Sequence, residues 1–213
     1  MIEVLCAGQC DLVMDQGRPG KGALGVPAGG AADPAALVAA NRLVGNNAAA
    51  AGLEITLKGP SLRFPLGGIV ALTGARFAAT RSSGAALAWN ETLVLAAGET
   101  LSLEQAAAGC RCWLAWRGGL AVPQVMGSRS TFLPAEFGGH QGRALRAGDR
   151  LASGTRAGGV RLLRAHTPHQ ASGTRFCAWW RGRRPASLTM PVWWRFLLET
   201  IGWVRRQTVA ACG

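Results

Sequence analysis

Short apolar stretches separated by turn residues run through the first 150 residues of the chain. The separators are pairs and triplets such as Gly-Pro, Gly-Gly and Ser-Ser-Gly. Turn signals spaced about 8 to 12 residues apart are typical of closed or sandwiched antiparallel sheets. We therefore predict a mainly β fold, with strands at Met1–Leu5, Gly52–Leu57, Ser61–Phe64, Gly68–Thr73, Phe77–Thr80, Ala86–Trp89, Thr92–Leu95, Thr100–Leu103, Cys112–Trp116 and Leu120–Val122.

One segment of this region has a helical pattern instead. Asp33 is a favourable N-cap residue, and Pro34 suits the first helical position because its fixed φ is already helical. The apolar residues that follow keep a helical spacing, and Gly45 stands where a terminating glycine is common. The sequence therefore predicts a helix that begins after Asp33 and ends at Gly45, packed on the sheet.

Composition divides the chain near residue 152. Residues 1–150 carry 13 basic and 10 acidic side chains, whereas residues 151–213 carry 10 arginines and the single acid Glu199. Five of the eight tryptophans lie in the last 35 residues, and 191–206 has the periodicity of an amphipathic helix. We predict a β domain at 1–152 and an atypical basic, Trp-rich tail at 153–213 that is irregular or helical.

The charge, the apolar runs and the cysteine and histidine spacings also indicate which partners and which cellular location to expect. The net charge of +12 arises largely in the tail, so it does not indicate a nucleic-acid partner for the domain. No apolar run has the ~20 residues of a transmembrane helix, and Met1–Leu5 lacks the basic start of a signal peptide. The six cysteines form no C-x-x-C pair, and the three histidines lack metal-ligand spacing. We expect a cytoplasmic protein with no transmembrane segment and no metal.

The glycine-rich segment Asp15–Gly30 is the first candidate site. Glycines allow close approach of backbone N–H groups to an anion, and Arg18 can fork onto a carboxylate or phosphate. Asp15 is placed to orient Arg18 or accept a proton. A purely structural cluster of turns explains the same spacing, and no Walker motif is present. The candidates are Asp15 and Arg18 as catalytic residues, with Gly17, Gly20, Gly29 and Gly30 as ligand-binding residues.

A second candidate is the turn around Arg129, Ser130 and Thr131. Hydroxyls and a guanidinium suit capture of a carboxylate or phosphate, but they suit turn capping as well. Glu54 lies among strand residues and is expected on the exposed polar face. No Ser-His-Asp set can be assembled, since residues 1–139 contain no histidine.

The glycine segment and the predicted helix together resemble a known family signature. DQGRPGKGALGVPAGGAADPAALVAANRLVGN is similar to the signature of the biotin-dependent carboxyltransferase family, KipA-like, whose members include the C component of 5-oxoprolinase and allophanate hydrolase subunit 2. Met14 stands where the family usually has Gln. Further ordered matches are Leu53–Thr56, Gly59-Pro60, Ala71–Ala75, Gly118-Gly119, Val122-Pro123, Gly127–Thr131, Gly138-Gly139, Gly142-Arg143 and Gly148-Asp149.

The resemblance implies a cyclophilin-like β-barrel with one or two short helices. Family members contain two such subdomains, and the match here covers the first and stops near Leu151. The chain is therefore expected to be truncated after that subdomain. Two interpretations of the tail remain open: a frameshift in a GC-rich gene, or a basic amphipathic appendage that binds a membrane surface.

The resemblance also implies an activity. It is that of one component of an ATP-dependent 5-oxoprolinase, which opens 5-oxoproline to glutamate together with a KipI-like B component and a LamB/YcsF-type A component. ATP would be the cofactor, and the truncated chain is expected to be inactive alone. The alternatives are a component of a biotin-dependent carboxyltransferase of the urea or allophanate type, with biotin on another chain, and a regulatory module that binds a KipI-like protein.

Overall fold

A computed structural model describes residues 1–154, and the predicted helix at 191–206 lies outside the described residues. Eight strands and one α-helix account for the regular structure of the described part, with short 3-10 turns at Gly22–Leu24 and Leu133–Ala135. In chain order they are β1 (Ile2–Cys6), β2 (Cys10–Met14), α1 (Pro34–Leu43), β3 (Gly52–Thr56), β4 (Ser61–Phe64), β5 (Gly68–Arg81), β6 (Thr92–Leu95), β7 (Glu99–Trp116) and β8 (Arg150–Leu151).

All strands pair antiparallel in one curled sheet with the order β2-β3-β7-β4-β1-β8, while β5 pairs with both β6 and β7. The 18-residue β7 organises this sheet. Its first residues pair with β4, as in Leu62 opposite Leu101, and its last residues pair with β3, as in Leu53 opposite Leu114. Since β3 and β4 both pair with β7 while β5 also runs along it, the sheet wraps into part of a barrel. The predicted mainly β barrel class is confirmed.

Several predicted strand boundaries were wrong. Gly68–Thr73 and Phe77–Thr80 belong to the single strand β5, and Thr100–Leu103 and Cys112–Trp116 belong to β7. Gly74 has a φ of +86° inside β5, where the pairing register shifts, so this glycine marks a β-bulge and not a turn.

Two further predicted strands are absent from the described residues, and two observed strands were missed. Ala86–Trp89 is a loop, and Leu120–Val122 contributes only an isolated bridge from Leu120 to Ser153. The missed strands are β2 and β8. In β2 the acidic Asp11 interrupts the apolar pattern, and β8 is only two residues long. Both depend on pairing with distant partners.

The predicted helix is confirmed, with the expected residues at both ends. The Asp33 side chain accepts a hydrogen bond from the Ala36 N–H at 3.0 Å, and Pro34 occupies the first turn. Gly45 follows the helix with a φ of +75°. Leu37 is fully buried, and the helix packs against β5 and β7. The sequence therefore specified this element locally, through its caps and its apolar face.

The main core fills the inside of the curled sheet. It consists of aliphatic and aromatic side chains from every strand, including Val4, Leu53, Leu62, Leu72 and Leu114. A smaller cluster joins Met14 and Trp113 to the helix. These clusters fix the end of β2, where the chain passes from Met14 into the glycine-rich segment. No helix within residues 1–154 is long and apolar enough to cross a bilayer.

Candidate functional site

Asp15 is the hydrogen-bond centre of the glycine-rich segment. Its side chain is 6% exposed, and its Oδ1 accepts from the hydroxyls of Ser128 and Ser130, each at 2.6 Å, and from the Gly17 N–H at 2.8 Å. Its Oδ2 accepts from the Arg129 N–H at 2.6 Å. One carboxylate therefore joins the glycine-rich segment to residues 128–130, more than a hundred positions away.

These bonds determine the protonation of Asp15. Burial alone would raise its pKa, but the hydrogen bonds from Ser128, Ser130, Arg129 and Gly17 favour the charged form and hold the pKa below its ordinary value. An ionised carboxylate with four donors is a stable anchor. Ser130 links Asp15 to Arg18, since its hydroxyl donates to the carboxylate and its carbonyl accepts from the guanidinium. Asp15 and Arg18 themselves form no ion pair.

Arg18 is buried, with 1% of its surface exposed. Its Nη2 donates to the Ser130 carbonyl, its Nε lies 3.4 Å from the Val125 carbonyl, and its guanidinium carbon lies 4.9 Å from the centre of the Phe137 ring. Its Nη1 is buried with no hydrogen-bond partner among the described residues. No carboxylate of residues 1–154 pairs with this charge, which arginine cannot lose by deprotonation.

The candidate glycines separate into two groups. A Cβ on Gly17, which has a φ of +83°, would lie 2.5 Å from the Ala28 carbonyl oxygen, so this position requires glycine for the close approach of two backbones. A Cβ on Gly29 would meet only Arg18 Nη1, at 3.7 Å. A Cβ on Gly30 would lie 2.9 Å from the Gln16 carbonyl carbon, so Gly30 is crowded like Gly17, whereas a Cβ on Gly20 would have nothing within 4 Å.

Several backbone amides of this segment are already bound within the protein. The Gly17 N–H is bound to Asp15, the Arg18 N–H to the Ala28 carbonyl, and the Ala31 N–H to the Asp15 carbonyl. The Gly25 N–H closes the 3-10 turn on Gly22. These four donors are used within the protein, whereas binding of ATP by this segment, and of a ligand by Gly20, Gly29 and Gly30, stays a prediction.

The turn around Ser130 is built into the same network. The Ser130 hydroxyl donates to Asp15 and accepts from the Asp15 N–H, and the Thr131 hydroxyl donates to the Val13 carbonyl at 3.0 Å. The Arg129 side chain donates from Nε to the Val122 carbonyl at 3.0 Å. These contacts hold residues 128–131 along the free edge of β2. Ligand binding by Arg129, Ser130 and Thr131 stays a prediction.

A cavity of about 600 Å³ lies beside this network. Its lining comes from three parts of the chain: residues 121–123 with Val125, residues 136–142, and residues 150–152. Val125 and Phe137 belong to its wall and also contact the Arg18 guanidinium from behind. Small-molecule sites are typically concave and of about 300–1,000 Å³, so the volume suits a small ligand.

His140 lies in the cavity wall, and the carboxylate of Asp149 lies beside its ring. Its Nε2 lies 3.5 Å from Asp149 Oδ1. Arg143 holds both oxygens of Asp149, at 2.7 and 2.9 Å, and the Arg146 N–H donates to it at 2.8 Å. Burial acts to raise the pKa of Asp149, but the bonds from Arg143 and Arg146 outweigh it and lower the pKa to about 2. The sequence pattern does not pair His140 with Asp149, because the two residues are nine positions apart and no local motif joins them.

Two buried carboxyl groups in the sheet were also missed or misplaced. Glu54, expected on an exposed face, is 4% exposed and accepts from the Ala32 N–H at 2.7 Å while pairing with Arg111 at 3.2 Å. Asp11 is 1% exposed, and one of its oxygens has no partner among the described residues. Alternation along a strand predicts which face of the sheet a residue lies on. It does not predict that both faces of a curled sheet are covered, which is why Glu54 and Asp11 are buried.

Comparison with known proteins identifies the class to which this fold and network belong. The family model described as carboxyltransferase domain, subdomain A and B, matches residues 24–191. The chain therefore belongs to the carboxyltransferase subdomain A and B family, as the sequence resemblance indicated.

The relatives include two kinds of enzyme component. The chain is 43% identical over 155 residues to the C component of 5-oxoprolinase from Escherichia coli, covering 72% of this chain and 49% of the relative. It is 39% identical over 150 residues to urea amidolyase of Lachancea kluyveri, covering 70% of this chain and 8% of that protein. The solved structure of urea amidolyase from K. lactis superposes with a TM-score of 0.69 at 38% identity, covering 80% of this chain and 10% of that one.

The lengths of these relatives set the scope of the comparison. The chain spans about half the length of the Escherichia coli 5-oxoprolinase component and less than a tenth of the Lachancea kluyveri urea amidolyase. The activity of the longer proteins is therefore proposed for this chain and not transferred to it.

Proposed function

We propose that this protein is one component of an ATP-dependent 5-oxoprolinase and that it acts with a KipI-like protein and a LamB/YcsF-type protein. The single observation that carries the proposal is the 43% identity over 155 residues to a relative named as a 5-oxoprolinase component, which this chain matches across about half that relative's length. Relatives named as urea amidolyase match a far smaller fraction of their own length.

The geometry supports a role in holding the substrate. Opening a lactam requires a bound ring and an activated amide, and activation by phosphorylation is the chemistry that ATP supplies to the complex. Within this chain, Arg18 contacts Val125 and Phe137 of the cavity wall, and Arg129, which is bound to Asp15, contacts Val122 and Gly139 of the same wall. Rigid support of a binding wall reduces the cost of ordering it when substrate binds.

The experiment reconstitutes the chain with a KipI-like protein and a LamB/YcsF-type protein. The expected result is 5-oxoproline-dependent ATP hydrolysis with stoichiometric glutamate, and no turnover by the chain alone. Urea-dependent carboxylation after a biotin carboxylase and a biotinylated carrier protein are added to the mixture would favour the carboxyltransferase alternative. Stable capture of the KipI-like protein without any turnover would favour the regulatory alternative.

Arg18 provides a residue-level test of this proposal. In the reconstituted complex we expect Arg18→Ala to lower kcat/KM for 5-oxoproline by at least about 100-fold, since it removes a buried positive charge behind the cavity wall. Arg18→Met is the matched control for packing, because it keeps much of the side-chain volume without the charge. Full turnover by Arg18→Met, with an unchanged melting temperature, would show that Arg18 acts only through packing.

A further inference from the structure

The cavity wall contains an unusual concentration of constrained backbone. Five non-glycine residues of the described chain have positive φ. Of these, Glu136 and Gln141 line the cavity and Met126 adjoins the lining residue Val125. Non-glycine residues in this conformation cost free energy that the surrounding structure must supply, and they cluster at binding and active sites. The wall is therefore shaped at a cost in stability.

The charges around the cavity favour an anion. Arg18 lies behind Val125 and Phe137, buried and without a carboxylate partner among the described residues, so water screens its charge weakly. Glu136 is the acidic group of the lining, and it is exposed, so its charge is strongly screened. Arg150, also in the lining, pairs with Glu3 at 3.2 Å and is 68% exposed.

His140 is positioned to contact a bound group. Its side chain is 16% exposed, and it is the lining residue whose ring nitrogen lies close to a carboxylate. The negative charge of Asp149 is already satisfied by Arg143 on both oxygens. Asp149 therefore lies beside Nε2 of the imidazole, and no hydrogen bond within the described residues occupies the other ring nitrogen, which we assign to the ligand.

We propose that this cavity binds a small carboxylic acid as its anion, with the ligand carboxylate in contact with His140. The proposal rests on the proposed function only for its probe, L-5-oxoproline, whose matched control is 2-pyrrolidinone, the same lactam ring without the carboxylate. A cavity of about 600 Å³ admits both.

The test is an NMR titration of the full 213-residue chain with labelled histidine. The chain has three histidines, so His140→Gln removes one resonance and assigns it. We expect 5-oxoproline to shift the His140 resonance saturably, and 2-pyrrolidinone to bind at least about tenfold more weakly, because it lacks the charged acceptor. Equal binding of the two ligands would overturn the role assigned to the carboxylate.

Two variants keep the test independent of folding. We expect Ala121→Phe, which fills the cavity and leaves His140 in place, and His140→Gln each to weaken 5-oxoproline binding at least about tenfold by calorimetry. Arg42→Gln, on the exposed face of α1, removes a positive charge far from the lining and should bind as the parent does. Unweakened binding by Ala121→Phe would place the ligand elsewhere and overturn the proposal.

The two proposals fail in different ways. Binding at His140 without turnover in the reconstituted complex would leave the cavity as a carboxylate site and reject the 5-oxoprolinase activity. Turnover by the complex, with no shift of His140 and no effect of Ala121→Phe on KM, would retain the activity and reject the cavity as its site.

Discussion

Replacing Asp15 with alanine is expected to lower the free energy of unfolding by about 4 kcal/mol. Four buried or half-buried donors lose their acceptor at once, from the hydroxyls of Ser128 and Ser130 and the N–H groups of Gly17 and Arg129. A hydrogen bond to a charged group contributes about 1.5–3 kcal/mol, and a donor left buried without a partner adds a desolvation penalty. Four such bonds sharing one carboxylate do not add in full.

Urea unfolding monitored by tryptophan fluorescence measures this loss. Asp15→Asn keeps the shape and one acceptor oxygen, so its loss should be roughly half that of the alanine variant. Asp33→Asn is the matched control, because asparagine caps a helix about as well as aspartate, and it should change stability little. A loss below about 1 kcal/mol for Asp15→Ala would contradict the role of Asp15 as the anchor of this network.

Replacing Asp11 with asparagine is expected to stabilise the protein by roughly 4 kcal/mol above pH 7 and to change little near pH 4. Burial raises the pKa of Asp11 from 3.8 to about 7, although the hydrogen bond from the Gly8 N–H opposes this rise. Below pH 3.8 both folded and unfolded states hold the proton. Between pH 3.8 and 7 only the folded state keeps it, so stability falls as pH rises, and above pH 7 the penalty is constant.

The measurement is the free energy of unfolding of the parent and the Asp11→Asn variant from pH 4 to pH 8. The difference between the two should grow steadily with pH and level off above pH 7. Glu104→Gln, at an exposed position of β7, removes the same charge without burial and controls for net charge. A difference that does not vary with pH would show that Asp11 is not held protonated in the folded state.

Both carboxylates are buried, yet their environments have opposite effects on their charge. Asp15 has four donors, which stabilise its ionised form, while Asp11 has the Gly8 N–H on one oxygen and no described partner on the other. Aspartate therefore stabilises the folded domain at position 15, whereas at position 11 its ionisation lowers the free energy of unfolding. This contrast is why stability should respond to pH at Asp11, while the Asp15 network keeps its charge near neutral pH.

Local sequence signals were enough where a structure depends on near neighbours. The caps at Asp33 and Gly45 and the apolar spacing between them specified α1, because each acts within a few residues. The clustering of glycines around Arg18 also marked this segment in the sequence. The structure gives the reason at Gly17 and Gly30, where two backbones approach closely. The predicted barrel class followed from the family resemblance and the strand pattern.

Long-range contacts decided the rest. In the sequence, Gly74 separates two predicted strands. In the structure both belong to β5, because pairing with β7 continues past Gly74, where the register shifts at a β-bulge. Ser130 and Thr131 look like free hydroxyls, but Asp15 and Val13 use them from 115 and 118 positions away.

The amino-acid sequence by itself determined the family, the mainly β architecture, the capped helix and the glycine-rich segment that contains Arg18. Only the tertiary structure decided that Arg18 is buried, that Asp15 is an anchor, and that His140 faces a cavity with Asp149 behind it. The physical reason is that caps and periodicity are set by neighbouring residues. Burial, protonation and hydrogen-bond partners depend on which distant segments the curled sheet brings together.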